Sequence, residues 1–275
     1  MNIEAEVWEN LDISNDYIFG KVMQDEELCG ELIRRILPDI EIGRIEFPER
    51  QKAMAEGVYA RSVRLDIYTR SEFGHVIDIE MQMLHSGNLP KRTRAYHTIM
   101  DMNAMNKNLM KNYNDFPMTF VIFICAKFDP FNKGRHIYTF QNICKEDPLI
   151  QLNDGTFTIF LTPKGTKNDV SEKLTTFLDL VSGKSSDDPF VKRLEAKILE
   201  VKQSPELKME FMSLYMRDQD RINIGMQRGI QKGIQQGKFE ERKAMVQQMK
   251  REGLPLDMIA RVAGENVSVI QDWIN

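Results

Sequence analysis

What this chain lacks narrows its class first. It has three cysteines, Cys29, Cys125 and Cys144, widely spaced and odd in number. That pattern argues against a disulfide framework or a zinc site and predicts buried free thiols in a reducing compartment. No apolar run approaches the roughly 18 residues that mark a transmembrane helix. The acidic start, Met1 to Asn10, lacks the basic residues and apolar stretch of a signal peptide. A cytoplasmic protein with no membrane partner is therefore expected. A global basic field is also missing: 41 acidic residues against 37 Lys and Arg leave a formal net charge of −4. Any contact with nucleic acid must come from a local patch. What is present, 42% hydrophobic and 28% charged residues over 275 positions, suffices for a real core: one medium domain with appendages, or two small domains.

Periodicity gives the organisation. Residues 14–37 read as a helix: Ser14 and Asn15 are capping types, Ile18, Val22, Leu28, Leu32, Ile33 and Ile36 recur at helical spacing, and Pro38 follows the stop. Residues 62–69 alternate, with Val63, Leu65 and Ile67 on one face and Arg64, Asp66 and Tyr68 on the other. Ser71 to Gly74 is turn-like, and residues 75–83 alternate again, Ile77, Ile79 and Met81 opposite Asp78, Glu80 and Gln82. Two such runs around a short turn predict a β-hairpin. Pro90 opens a helix to about Leu109, with Lys91, Arg92, Arg94, Tyr96 and His97 near its start. Met118 to Ala126, continuously apolar, reads as a buried central strand. His136 to Ile143 is expected to be another strand, and Asn153-Asp154-Gly155 is a turn before the strand Thr156 to Leu161.

After Pro163 the pattern turns helical. Residues 169–182 and 188–251 read as helices, with breaks at Ser182 to Ser186 and at Pro205. Gly225, Gly229, Gly233 and Gly237 recur every fourth residue. Two readings stand: a face that lets helices approach closely, or a weakly stable polar linker helix. Leu256–Ala263 and Val267–Trp273 around Gly264 have the outline of a helix-turn-helix unit or of an interaction module. The expected division is a domain over residues 1–165, a helical extension over 166–251 and a small helical tail over 252–275, with a homodimer through the C-terminal helices.

The hairpin carries the chemistry. A turn centred near Phe73 sets Asp66 opposite Glu80, with Asp78 one step along the same face. Opposed residues have Cβ atoms roughly 4.5–5.5 Å apart, and like charges there repel. Either the carboxylates meet water on a solvated sheet face, or a hard cation such as Mg²⁺ or Mn²⁺ offsets them. Such an ion polarises a phosphoryl oxygen and acidifies a bound water, which is what phosphodiester hydrolysis requires. His75 and His97 are isolated and are expected at surface or core positions.

Asp66, thirteen residues, then Glu80-Met81-Gln82 resembles the active-site signature of the PD-(D/E)XK nuclease superfamily, in the branch with Glu-x-Gln in place of Glu-x-Lys. Asn15-Asp16-Tyr17-Ile18-Phe19-Gly20-Lys21 is similar to the opening helix of the Rpn family, the recombination-promoting nucleases also labelled transposases. The resemblance covers residues 12–165 and, in general character, the glycine-spaced helix and the tail.

It implies an α/β fold, a restriction-endonuclease-like core with a central mixed sheet flanked by helices and a mostly helical C-terminal region. It implies a Mg²⁺-dependent (or Mn²⁺-dependent) endonuclease acting on double-stranded DNA and linked to recombination or mobile elements. Asp66, Glu80 and the Met81 carbonyl would hold the metal. Gln82 would stand where most of the superfamily has a lysine; it donates hydrogen bonds but carries no charge. Asp16 would reach the metal or its water, with a capping or surface role as the alternative. Arg92 and Tyr96, one turn apart, would face the site, Arg92 contacting a DNA phosphate unless it is only an exposed helix start. Lys21 is a candidate for the same contact, and Asp78 is either a ligand or a neighbour. The competing expectation is a degenerate nuclease fold that binds DNA or a partner. A nuclease toxin used in phage defence would share the first chemistry.

Overall fold

The computed structural model describes residues 3–46, 49–54, 63–106 and 112–274. They form two compact units, residues 1–209 and 210–275. Among the described residues no helix is long and apolar enough to cross a membrane.

The first unit is built on a six-stranded mixed sheet. Its strands are β1 (Glu49–Met54), β2 (Val63–Arg70), β3 (Val76–Gln82), β4 (Thr119–Cys125), β5 (Ile137–Phe140) and β6 (Thr156–Leu161), in the order β1-β2-β3-β4-β6-β5. β1, β2 and β3 run antiparallel to one another, β3-β4 and β4-β6 pair in parallel, and β5 closes the edge antiparallel to β6. β4 is buried along its whole length, as its unbroken apolar sequence predicts for a strand covered on both faces. A parallel pair needs a long crossover; the one from β3 to β4 contains helix α4 (Leu89–Asn106), which packs on β4. Beneath it lies a cluster of Tyr68, Val76, Tyr96, Met100, Val121 and Phe123. The neutral His97 ties α4 to the sheet, its two ring nitrogens within 2.9 and 3.0 Å of the Thr119 and Thr158 hydroxyls. The predicted end of this helix, residues 107–109, lies outside the described residues, as do the facings expected for Val63, Arg64 and Leu65.

Helix α1 (Ile3–Glu9) precedes α2 (Asp16–Val22) and α3 (Glu26–Ile36). The single helix expected over 14–37 is thus two. Asp25 caps α3, its carboxylate accepting from the Glu27 and Leu28 N–H groups. A side chain able to bond neighbouring backbone competes with helix continuation. Asn15 caps α2 in the same way, and α2 packs against β2 and β3. Helices α5 (Glu172–Val181) and α6 (Pro189–Gln203) are fastened to α3 by Arg35. Its guanidinium donates to both Asp188 oxygens and to the Lys173 carbonyl and lies 4.3 Å from the Phe190 ring centre. Of the three free cysteines Cys29 and Cys125 are buried; Cys144, expected inside, is partly exposed.

The last long helix is α7 (Pro205–Arg251), followed by α8 (Leu256–Ala263) and α9 (Val267–Ile274). In the second unit Val246 near the end of α7 packs with Ile259, Ala260 and Ile270. Gly264 at φ 67° makes the left-handed turn between α8 and α9. The end of α7 thus packs as a third helix with α8 and α9. The exposed polar side chains of α9 include Asp272 and no basic residue, which does not suit a DNA-reading helix.

Candidate active site

The hairpin register comes out as the alternation predicts: Arg70 pairs with Val76, Thr69 with Ile77, Tyr68 with Asp78 and Ile67 with Ile79. At the next step side chains take part in the bonding. The Asp66 N–H donates to Glu80 Oε1 at 2.9 Å, and the Met81 N–H donates to Asp66 Oδ2 at 3.3 Å. Each carboxylate is held by the partner strand's backbone, so neither needs a flexible loop to be positioned.

α4 covers this face and supplies the rest. Arg92 Nη2 donates to Glu80 Oε2 at 3.0 Å and Arg92 Nη1 to Gln82 Oε1 at 2.8 Å. The Tyr96 hydroxyl accepts from Arg92 Nη2 at 2.7 Å and donates to Glu80 Oε2 at 3.4 Å. The guanidinium also lies 5.1 Å from the Phe123 ring centre, and Tyr96 stacks on that ring. Gln82 Nε2 donates to the Leu84 carbonyl at 2.7 Å, so both ends of its amide are engaged.

The carboxylate face is not solvated, which removes that expectation. Glu80 is 3% exposed and Asp78 is fully buried. Alternation reveals which residues share a face but not that α4 covers it. Burial, and then the Asp66 charge, push the Glu80 carboxyl up to about 8, against the pull of the Asp66 N–H, Arg92 and Tyr96. Burial, with Glu80 and Asp66 adding to it, drives Asp78 well above the ordinary carboxylate range. Among the described residues neither Asp78 oxygen has a hydrogen-bond partner. A buried carboxyl in that position stays neutral.

Three crowded carboxyls opposed by the Arg92 guanidinium suit a cation. Among the described residues no group of three His, Cys, Asp or Glu side chains is arranged to hold one. The donors that fit a hard ion are Asp66, Glu80 and a backbone carbonyl. Carbonyls alternate sides along a strand. The Gln82 carbonyl accepts from the Ala126 N–H on the β4 side, so the Met81 carbonyl is directed to the β2 side, where Asp66 stands.

The structure thus brings Asp66, Glu80, Met81, Gln82, Arg92 and Tyr96 into one network. Asp16 is exposed on the first turn of α2, and its Oδ1 accepts from the Tyr17 N–H at 2.8 Å. Lys21 lies on the last turn of α2 with its Nζ 5.4 Å from the Tyr17 ring centre. Sequence reasoning missed the bond from Arg92 to Glu80, the aromatic seat at Phe123 and the clamp from Gln82 to Leu84. The Arg92–Tyr96 spacing was the available signal for the first.

A mixed sheet with Asp66 on one strand, Glu80-x-Gln82 on the next and a flanking helix closing the site is the α/β architecture of PD-(D/E)XK nucleases. The family described as PD-(D/E)XK nuclease family transposase matches residues 11–179, and the chain belongs to it. No curated protein and no solved structure matches the chain.

Proposed function

We propose that this protein is a metal-dependent endonuclease that hydrolyses phosphodiester bonds in double-stranded DNA, acting in recombination or in mobile elements. One observation carries the reading: Asp66 and Glu80 are cross-bonded through each other's strand, with Glu80 pushed up to about 8 by burial and then by the Asp66 charge. Asp66, Glu80 and the Met81 carbonyl would hold Mg²⁺ or Mn²⁺, which when bound would supply polarisation of a phosphoryl oxygen and acidification of a water. Gln82 orients the water through its amide, without the charge a lysine would add. Arg92, steadied by Tyr96, takes a phosphate oxygen in a charge-assisted bond. Asp16 and Lys21 on α2 serve the water and the backbone phosphates. The setting is cytoplasmic.

A second reading, a catalytically degenerate fold that binds DNA or a partner, is favoured by one feature: both ends of the Gln82 amide are already engaged by Arg92 and Leu84. Cleavage of supercoiled plasmid by the purified chain, with Mg²⁺, Mn²⁺ or EDTA and beside Asp66→Ala and Glu80→Ala, decides between the two. Metal-dependent nicking that disappears in both variants supports the nuclease. A folded wild-type protein that neither cleaves nor binds metal supports the binding module.

A further inference from the structure

We propose that Arg92 is an exchangeable counter-ion that occupies Glu80 while no divalent cation is bound and is released toward substrate phosphate when one binds. This deepens the nuclease reading and rests on it.

The geometry of Arg92 is that of a cation fully committed to the site. Its Nε and Nη2 donate to the Tyr96 hydroxyl, its Nη2 to Glu80 and its Nη1 to Gln82. Glu80 Oε1 is engaged by the Asp66 N–H, which leaves Oε2, the oxygen that Arg92 and Tyr96 hold, as the one turned to α4. The Arg92 side chain is 30% exposed and that of Glu80 3%, so the solvent-facing half of the pair is the guanidinium. A divalent ion placed on Glu80 would therefore lie beside a guanidinium bonded to the same carboxylate. Two cations sharing one carboxylate repel strongly where water is scarce. Arg92 is the member able to leave, since its part-exposed guanidinium sits on a long stem, whereas Glu80 is fixed in the sheet.

The arrangement couples three states of one side chain. Without metal, Arg92 donates to Glu80 Oε2 and Gln82 Oε1 and so occupies the Glu80 oxygen turned to α4. Once a cation replaces it, the freed fork offers two donors to a phosphate. Gln82 regains its carbonyl oxygen as an acceptor for a water proton in the same step. The network that Arg92 forms with Glu80, Gln82 and Tyr96 thus also keeps phosphate clamp and water-orienting group switched off.

The test is calorimetric titration of the full chain with Mg²⁺ and with Ca²⁺ at pH 9, where proton competition for carboxylates is weakest. Wild type is compared with Arg92→Met, which keeps an unbranched apolar side chain without the guanidinium, and with Gln82→Met, which removes one anchor of Arg92 together with the bond to the Leu84 carbonyl. Circular dichroism checks that each variant is folded. The expected result is that Arg92→Met binds the cation roughly tenfold or more tightly than wild type, as loss of a neighbouring like charge implies, and Gln82→Met binds at an intermediate affinity. In wild type, the Arg92 Nε–H resonance should shift on metal addition. Equal affinities in all three chains overturn the exchange while leaving metal binding, and with it the nuclease reading, intact. No binding in any chain overturns both.

Discussion

The Asp66 N–H donates to Glu80 Oε1 at 2.9 Å while Asp66 Oδ2 accepts from the Met81 N–H at 3.3 Å. Each carboxylate thereby spans to the neighbouring strand. Replacing Asp66 with Ala removes a proposed ligand and also the acceptor for Met81. Plasmid nicking in Mg²⁺ is expected to fall by more than ~100-fold, the upper range for losing even an outer-sphere partner of a metal. Asp66→Asn, which keeps an acceptor for Met81, should restore the melting temperature without restoring cleavage. Activity retained in Asp66→Asn would place the metal elsewhere.

Glu80 makes stability fall as pH rises. Its folded-state carboxyl sits at about 8 against an ordinary 4.5. A raised value means that the folded protein holds the proton more tightly than the unfolded chain. The stabilisation is complete below about pH 4.5 and is lost as pH climbs through 8. In EDTA, urea midpoints should decline across this window. Glu80→Gln, neutral throughout, should flatten the decline by about 2 kcal/mol or more. Saturating Mg²⁺ should oppose the decline in wild type and have no effect on the slope in Glu80→Gln.

His97 works in the opposite direction. Burial between Thr119 and Thr158 lowers its value from 6.5 to about 4. The unfolded chain then takes up the proton first. The contribution is present above pH 6.5 and is lost as pH falls toward 4. Because Glu80 and His97 act with opposite sign between these limits, the wild-type profile alone cannot separate them. Subtracting the profile of His97→Gln should isolate an acid-side loss of about 1–3 kcal/mol. A difference that is flat with pH would mean that His97 is not neutral in the fold.

Much of this site is legible in the chain, for a definite reason. Side chains alternate with a period of two along a strand, so the turn near Phe73 fixes which residues oppose one another. The observed Tyr68–Asp78 and Ile67–Ile79 pairs follow from it. The unbroken apolar run fixes β4 in the same way, and Gly264 fixes the end of α8. What alternation cannot supply is the identity of the cover. The burial of Asp78 and Glu80 depends on α4 lying across their face, a contact of the tertiary fold. β1, of sequence Glu-Arg-Gln-Lys-Ala-Met, shows no alternation and is recognisable only by its pairing with β2. The split at Asp25 was hidden because the apolar spacing of α2 and α3 is nearly continuous across it.

Arg35 offers a test of the scaffold apart from the site. Its side chain is 6% exposed and its guanidinium binds both Asp188 oxygens, while Asp188 also caps α6. Removing one partner of a buried pair leaves the other uncompensated, at a cost of about 3–5 kcal/mol. Arg35→Met should lower the thermal midpoint by roughly 10 °C, at ~2–4 °C per kcal/mol for a domain of this size. Adding Asp188→Asn to that variant should recover part of the loss, because the stranded charge is gone while a capping side chain remains. A double variant no more stable than Arg35→Met would show that packing over Phe190, not charge, is what Arg35 contributes.

The glycines of α7 give a prediction whose sign is informative. Among the described residues a Cβ added at Gly225, Gly229, Gly233 or Gly237 meets no neighbouring side chain within 4 Å. Each glycine costs a solvent-exposed helix about 1 kcal/mol relative to alanine. In the chain as folded, Gly229→Ala with Gly233→Ala should therefore raise the stability of the helix by about 2 kcal/mol, read by urea titration of its helical signal. A homodimer in which two copies of α7 meet along this row requires the opposite. Close approach of two backbones tolerates glycine and is blocked by methyl groups, so the same variant would lose stability and dissociate on light scattering. The neighbouring row Met226, Ile230 and Ile234 is more than half exposed, and in such a dimer these side chains would be covered. Stabilisation with unchanged mass removes the glycine face as a dimer contact. Destabilisation with a fall in mass establishes it, because among the described residues no contact is present that the added methyl groups could disturb.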